Sequence, residues 1–148
     1  FLCIKGDFYM LKKLSNSLVE SFVVTLNKED SVLKTLRMPH ALRQAVKVNL
    51  TTLLDRAKVY EDERKELVES FVEKGWAEKN DDNSFSVGKE HIDEVNKELV
   101  ELSSVENELN IETVNKDIVD NVLENNSLTL GEEEVFLFFS DDSDKQKG

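Results

Sequence analysis

The sequence predicts a mainly α fold with a minor β component (α+β), in which a long central helix packs antiparallel on a second helix, with a short β-hairpin between them. Three observations predict it. The stretch between Pro39 and Gly75 contains neither proline nor glycine, which leaves nothing to break a helix. Apolar residues over most of the chain recur at steps of three and four, the spacing of one helical face. Only Trp76 to Val87 and Glu106 to Val114 depart from that spacing. With 148 residues, 39% of them hydrophobic, the chain supports one domain with a modest core.

Residues 1–9, FLCIKGDFY, read as a translated leader outside the fold, with the protein proper starting at Met10. The codons for Lys5-Gly6-Asp7, AAR-GGN-GAY, can spell a bacterial ribosome-binding site, and Phe8-Tyr9 supply a spacer before the methionine codon. The segment is too short and too polar for a signal peptide. Cys3, the single cysteine, lies within it, so no intramolecular disulfide is available.

The first helix is expected to begin at Met10, with Leu11, Leu14, Leu18, Phe22 and Leu26 as its stripe, and to end near Asn27. DSVLKTLR adds a short helical turn capped by Asp30. Pro39 then opens the central helix, since proline is comfortable where the backbone N–H has no helical acceptor. Leu42, Val46, Asn49, Leu53, Ala57, Tyr60, Arg64, Leu67 and Phe71 give one seam over about 35 residues, well beyond the usual helix length. A helix so long needs its seam covered by other helices or another subunit.

Trp76–Lys79, a polar turn at Asn80–Asn83 and Ser84–Val87 predict the hairpin. Ile92, Val95, Leu99 and Leu102 then mark the second helix. Leu109, Ile111 and Thr113 alternate with polar residues, which suits a half-buried strand. A short helix starts near Asn115. Thr129 and Glu132 form a capping box ahead of Val135, Phe136, Phe138 and Phe139, and helix is favoured over strand for that run. The domain therefore covers residues 10–140, and residues 141–148 form a disordered acidic tail.

Catalytic or metal chemistry is not predicted. His40 stands at a helix start, and His91 shares a helical face with Glu94, but a metal site needs further ligands. NDDNS and DDSD lack the glycine and closing glutamate of a calcium loop. There is no Gly-rich phosphate loop and no Gly-x-Ser-x-Gly. No cofactor is therefore expected, and no enzyme. No apolar run approaches the ~20 residues of a membrane helix.

Charge is polarised along the chain. Met10–Tyr60 holds nine Lys/Arg against four Asp/Glu, and Glu61–Gly148 holds nine against 26, so +5 and −17 make up the net −12. Asn49 and Arg64 interrupt the helical seam and are candidate partner contacts; a slight helix rotation would instead leave them at the seam's edge. Phe136, Phe138 and Phe139 are the aromatic candidates, as anchors for a partner or as residues that close the core. Lys12, Lys13, Lys34, Arg37, Arg43 and Lys47 offer a basic patch for an alternative, nucleic-acid association. A further alternative is that the acidic half mimics nucleic acid and blocks an enzyme that acts on it.

RMPHALRQAVKVN leading into YEDERKELVESF, then EKGWAEKNDDNSF, NKELVELSSVENELNIETV and LTLGEEEVFLFF, together resemble a family of small acidic phage and prophage proteins of low-GC Gram-positive bacteria. The resemblance implies an accessory protein of the host bacterial cytoplasm or the virion, with no catalytic residues to carry over. With the overlong helix and the charge polarity, it leads to a non-enzymatic function through protein–protein interaction, in virion assembly or host-factor binding, the partner being another protein or a second copy.

Overall fold

The computed structural model describes residues 9–28 and 37–141. It is mainly helical, with small two-stranded pairs. The described part opens not as a helix but as a strand, β1 (Tyr9–Ser15), which corrects the expected helix start at Met10. Met10, Lys12 and Leu14 turn inward while Tyr9, Leu11 and Lys13 are exposed, a period of two that the leucine spacing had obscured. Tyr9 already pairs with Glu112, so the strand begins one residue before the expected start. The helix α1 covers only Asn16–Asn27, where the hydroxyl of Ser15 accepts from the N–H of Leu18. The expected turn at DSVLKTLR lies almost wholly outside the described residues; its last residue, Arg37, is irregular.

The helix α2 runs unbroken from His40 to Glu73, 34 residues, with Pro39 at its N-cap. It stops at Gly75, whose φ of +80° suits a residue without a Cβ. The N–H of Gly75 donates to the carbonyl of Val72 and that of Trp76 to Phe71, each bond closing a helix carbonyl that would otherwise be open. The ring of Trp76 stacks on that of Phe71 at 6.0 Å, which adds the apolar contact typical of such an end.

β2 (Ala77–Lys79) and β3 (Phe85–Val87) form the expected hairpin. Its turn is held by Asp82, whose carboxylate accepts from the hydroxyl of Ser84 at 2.6 Å and from its N–H at 3.0 Å. Those bonds, the hydroxyl's first, hold the Asp82 carboxyl below the ordinary carboxylate range. A short 3₁₀ turn, Lys89–His91, leads into α3 (Ile92–Ser103). β4 (Glu106–Glu112) then returns antiparallel to β1, with Leu109 and Ile111 buried as its alternation predicts.

β5 (Val114–Asn115) precedes α4 (Lys116–Asn125), and Asn115 caps that helix by accepting from the N–H of Asp117 at 2.8 Å. α5 (Leu130–Phe138) carries the full capping box between Thr129 and Glu132. Ser140–Asp141 forms β6, parallel to β5, so Asp141 belongs to the fold and not to a tail; residues 142–148 lie outside the described residues.

Two cores result. The main one gathers Leu14, Val19 and Phe22, the α2 residues Leu42, Ala45, Val46 and Leu53, and Ile111, Val119, Val135, Phe136 and Phe139. The first half of the α2 seam is thus covered by the chain's own elements. A second, smaller core joins Phe71, Ala77 and Val95, with Leu67, Trp76 and Leu99 against it. Each fully buried aliphatic or aromatic side chain contributes about 1.5–3 kcal/mol. α2 therefore links the two cores, and its length follows from having to reach both.

Candidate functional site

Between the cores, α2 and α3 leave their outward edges uncovered. Two adjoining depressions share Glu98 and Glu101. One, of about 510 Å³, is lined by Glu63, Glu66, Leu67, Ser70, Leu102 and Val105 besides the shared pair. The other, of about 320 Å³, adds Trp76, Glu94 and Lys97. Five carboxylates and a single lysine thus line a shallow, open groove whose apolar residues include Leu67, Leu102, Val105 and Trp76. The i, i+3 and i, i+4 spacing of Glu63, Glu66, Leu67 and Ser70, and of Glu94, Glu98, Glu101 and Leu102, sets these residues along neighbouring edges of the two helices.

Glu98 Oε2 is shielded from solvent and has no hydrogen-bond partner among the described residues. A carboxylate oxygen so placed favours a cationic or N–H donor. Val105 is 47% exposed at the far end of the groove, an apolar contact open to a visitor. On the other side of α3 a third depression, of about 350 Å³, is lined by Glu20, Tyr60, Arg64, Asn96, Leu99 and Ser103, among others.

A polar network supports the groove from behind. Asn16 is fully buried; its side-chain amide donates to the carbonyl of Leu102 at 2.8 Å, and its backbone N–H to that of Val105 at 3.0 Å. Its Oδ1 accepts from Asn107 at 2.9 Å and from Arg56 at 3.4 Å. Arg56 in turn bridges to Glu63 at 3.1 Å. Asn16, Arg56, Asn107 and the groove glutamates were not singled out in the sequence, apart from Glu94, which was weighed only beside His91. The acidic spacing on α3 was the only signal for them, and nothing in a local pattern marks a buried asparagine.

The sequence candidates separate. Asn49 is fully buried inside the chain: its side-chain N–H donates to the carbonyl of Glu112 at 2.9 Å, and its Oδ1 accepts the N–H of Glu112 at 2.8 Å. It presents nothing to a partner and instead fixes the register of β4 against α2. Phe136 and Phe139 are likewise core residues, and Phe138 is half-buried, edge-on to Phe22 at 5.4 Å beneath the ammonium of Lys12. The aromatic cluster closes the core. Arg64 is exposed and lines the third depression.

The described basic candidates lie on different elements. Lys12 donates to the carbonyls of Phe138 and Ser140 on the inner face, Lys13 is exposed on β1, and Arg43 and Lys47 are exposed on α2. Lys34 lies outside the described residues. His91 stacks on Trp76 at 5.0 Å, with Glu94 at 3.7 Å from its Nδ1, a packing role in the second core. Among the described residues, no group of three or more His, Cys, Asp or Glu side chains is arranged to hold a metal ion. No helix of the described residues is long and apolar enough to cross a membrane.

Comparison with protein-family models, with curated proteins and with solved structures returns no match.

Proposed function

We propose that the chain is a non-enzymatic phage accessory protein that acts by binding another protein, and that the acidic groove between α2 and α3 receives a basic, amphipathic segment of that partner. The observation that carries this reading is the mixture of apolar side chains and five carboxylates that lines the two depressions, with Glu98 Oε2 shielded and without a hydrogen-bond partner among the described residues. Apolar side chains of the visiting segment lie against Leu67, Leu102 and Val105, while its Lys or Arg residues meet Glu66, Glu94 and Glu101. Rim charges set partner choice and association rate more than raw affinity. In this reading α3 runs back antiparallel along the end of α2 and the hairpin fixes the spacing between them. The phage setting, in the host cytoplasm or on the virion, rests on the resemblance of the sequence motifs.

Glu66 and Glu101 are exposed, so reversing both tests the groove without disturbing a core. Glu66→Lys/Glu101→Lys should leave the circular dichroism spectrum unchanged. It should weaken capture of the partner from phage-producing cells by tenfold or more, from about 1 kcal/mol or more per reversed charge. Undiminished capture by the double variant, or no partner captured by the parent chain, overturns the proposal.

A further inference from the structure

Away from the groove, β1 and β4 make a sheet of two strands, each with an outer edge. Backbone groups alternate sides along an antiparallel strand. On β4 the N–H and C=O of Glu112 point away from β1, because Asn49 takes both. At the other end the N–H of Asn16 points toward β4, to the carbonyl of Val105. Both observations give the same phase: Met10, Lys12 and Leu14 bond to β4, whereas Tyr9, Leu11 and Lys13 turn their backbone outward. Among the described residues the outward groups of Leu11 and Lys13 have no partner. Leu11, at the middle of the strand, is 69% exposed. An open edge with an exposed leucine at its centre is a template for another strand.

We propose that this edge pairs with the same edge of a second copy, antiparallel and two-fold symmetric about Leu11. The sequence of the strand is self-complementary in that register. Leu11 meets Leu11 of the second copy, and Tyr9 meets its Lys13, all with their backbone groups facing inward, so each of these pairs exchanges N–H···O bonds. Across the new sheet Lys13 stands between Glu108 of its own β4, directly opposite in register, and Tyr9 of the second copy, with that copy's Glu112 beyond. No like charges lie directly opposite, the arrangement cross-strand pairing favours. The result is a four-stranded sheet, β4–β1–β1–β4, with Asn49 occupying Glu112 on each outer edge. A two-fold axis through one residue is the simplest closed association.

The full chain should sediment at twice 17.0 kDa, with a concentration-dependent return to 17.0 kDa on dilution. Leu11→Lys, which clusters lysines at the axis, should halve the mass at high concentration with an unchanged circular dichroism spectrum. Glu66→Lys/Glu101→Lys should not change it, which separates this surface from the groove. In a Cys3→Ser background, Leu11→Cys should form a reducible dimer on oxidation, since opposed Cα atoms about 5.5 Å apart lie within disulfide range. Leu18→Cys on α1, 38% exposed, should not. A 17.0 kDa species at every concentration, a dimer that survives Leu11→Lys, or equal cross-linking at positions 11 and 18 overturns the proposal.

Discussion

Replacing Asn49 by alanine is the sharpest perturbation of the fold. Asn49 is fully buried on α2, and its amide closes both backbone groups of Glu112 at 2.8 and 2.9 Å. Alanine leaves that N–H and C=O unpaired. A buried polar group without a partner costs about 1–3 kcal/mol, and the half-buried position of Glu112 lets water recover part of it. The expected loss is about 2–4 kcal/mol, or a fall of roughly 5–15 °C in Tm for a chain of this size. Urea denaturation followed by circular dichroism measures it, with Asn110→Ala on the exposed face of β4 as control, expected within about 0.5 kcal/mol of the parent. A loss below about 1 kcal/mol for Asn49→Ala at unchanged m would refute the role given to this side chain.

Three further outcomes follow from the geometry. Thr129→Ala removes the hydroxyl of the capping box and should cost about 1 kcal/mol in urea, with Thr129→Ser nearly neutral. Gly75→Ala meets no neighbouring atom, so its cost should come from the φ of +80° alone, about 1–2 kcal/mol in the same assay. Loss of solvation and then the charge and hydrogen bond of Glu112 raise the Tyr9 phenol above its ordinary value of about 10. The unfolded chain therefore loses this proton first, and the stabilisation is complete below pH 10 and disappears as pH rises through the higher folded value. In a Tyr60→Phe background, ultraviolet titration should show Tyr9 ionising above pH 10, and Glu112→Gln should lower that midpoint; a midpoint insensitive to Glu112→Gln would contradict the assignment.

Where the sequence was legible, one local signal sufficed. Pro39 and the absence of glycine before Gly75 bound α2, Asn115 and Thr129 announce their helices through their own caps, and the alternation of Leu109 and Ile111 marks β4. β1 was misread because Leu11, Leu14 and Leu18 also satisfy a helical step, while Lys12 occupies an inward position through its long aliphatic stem. Its partner β4 is remote in the chain, so no local pattern reports the pairing. Ser15, three residues before the apolar pair Leu18-Val19, was the available sign that the helix starts at Asn16. Asn49 was seen as a polar interruption of the seam, but whether it faced a partner or its own backbone depended on where β4 lands. The groove was illegible for the same reason: Glu63 and Glu66 become neighbours of Glu98 and Glu101 only once Trp76 and the hairpin have turned the chain.

The groove as a partner site is tested most directly by a photo-cross-linking amino acid at Val105, with a second at Leu130 as control, since Leu130 is 84% exposed on a different element. In phage-producing cells the probe at Val105 should cross-link one protein through a Lys/Arg-rich segment, and Glu66→Lys/Glu101→Lys should abolish the product. The same products from both positions, or a product at Val105 that persists in the charge-reversed chain, would contradict it.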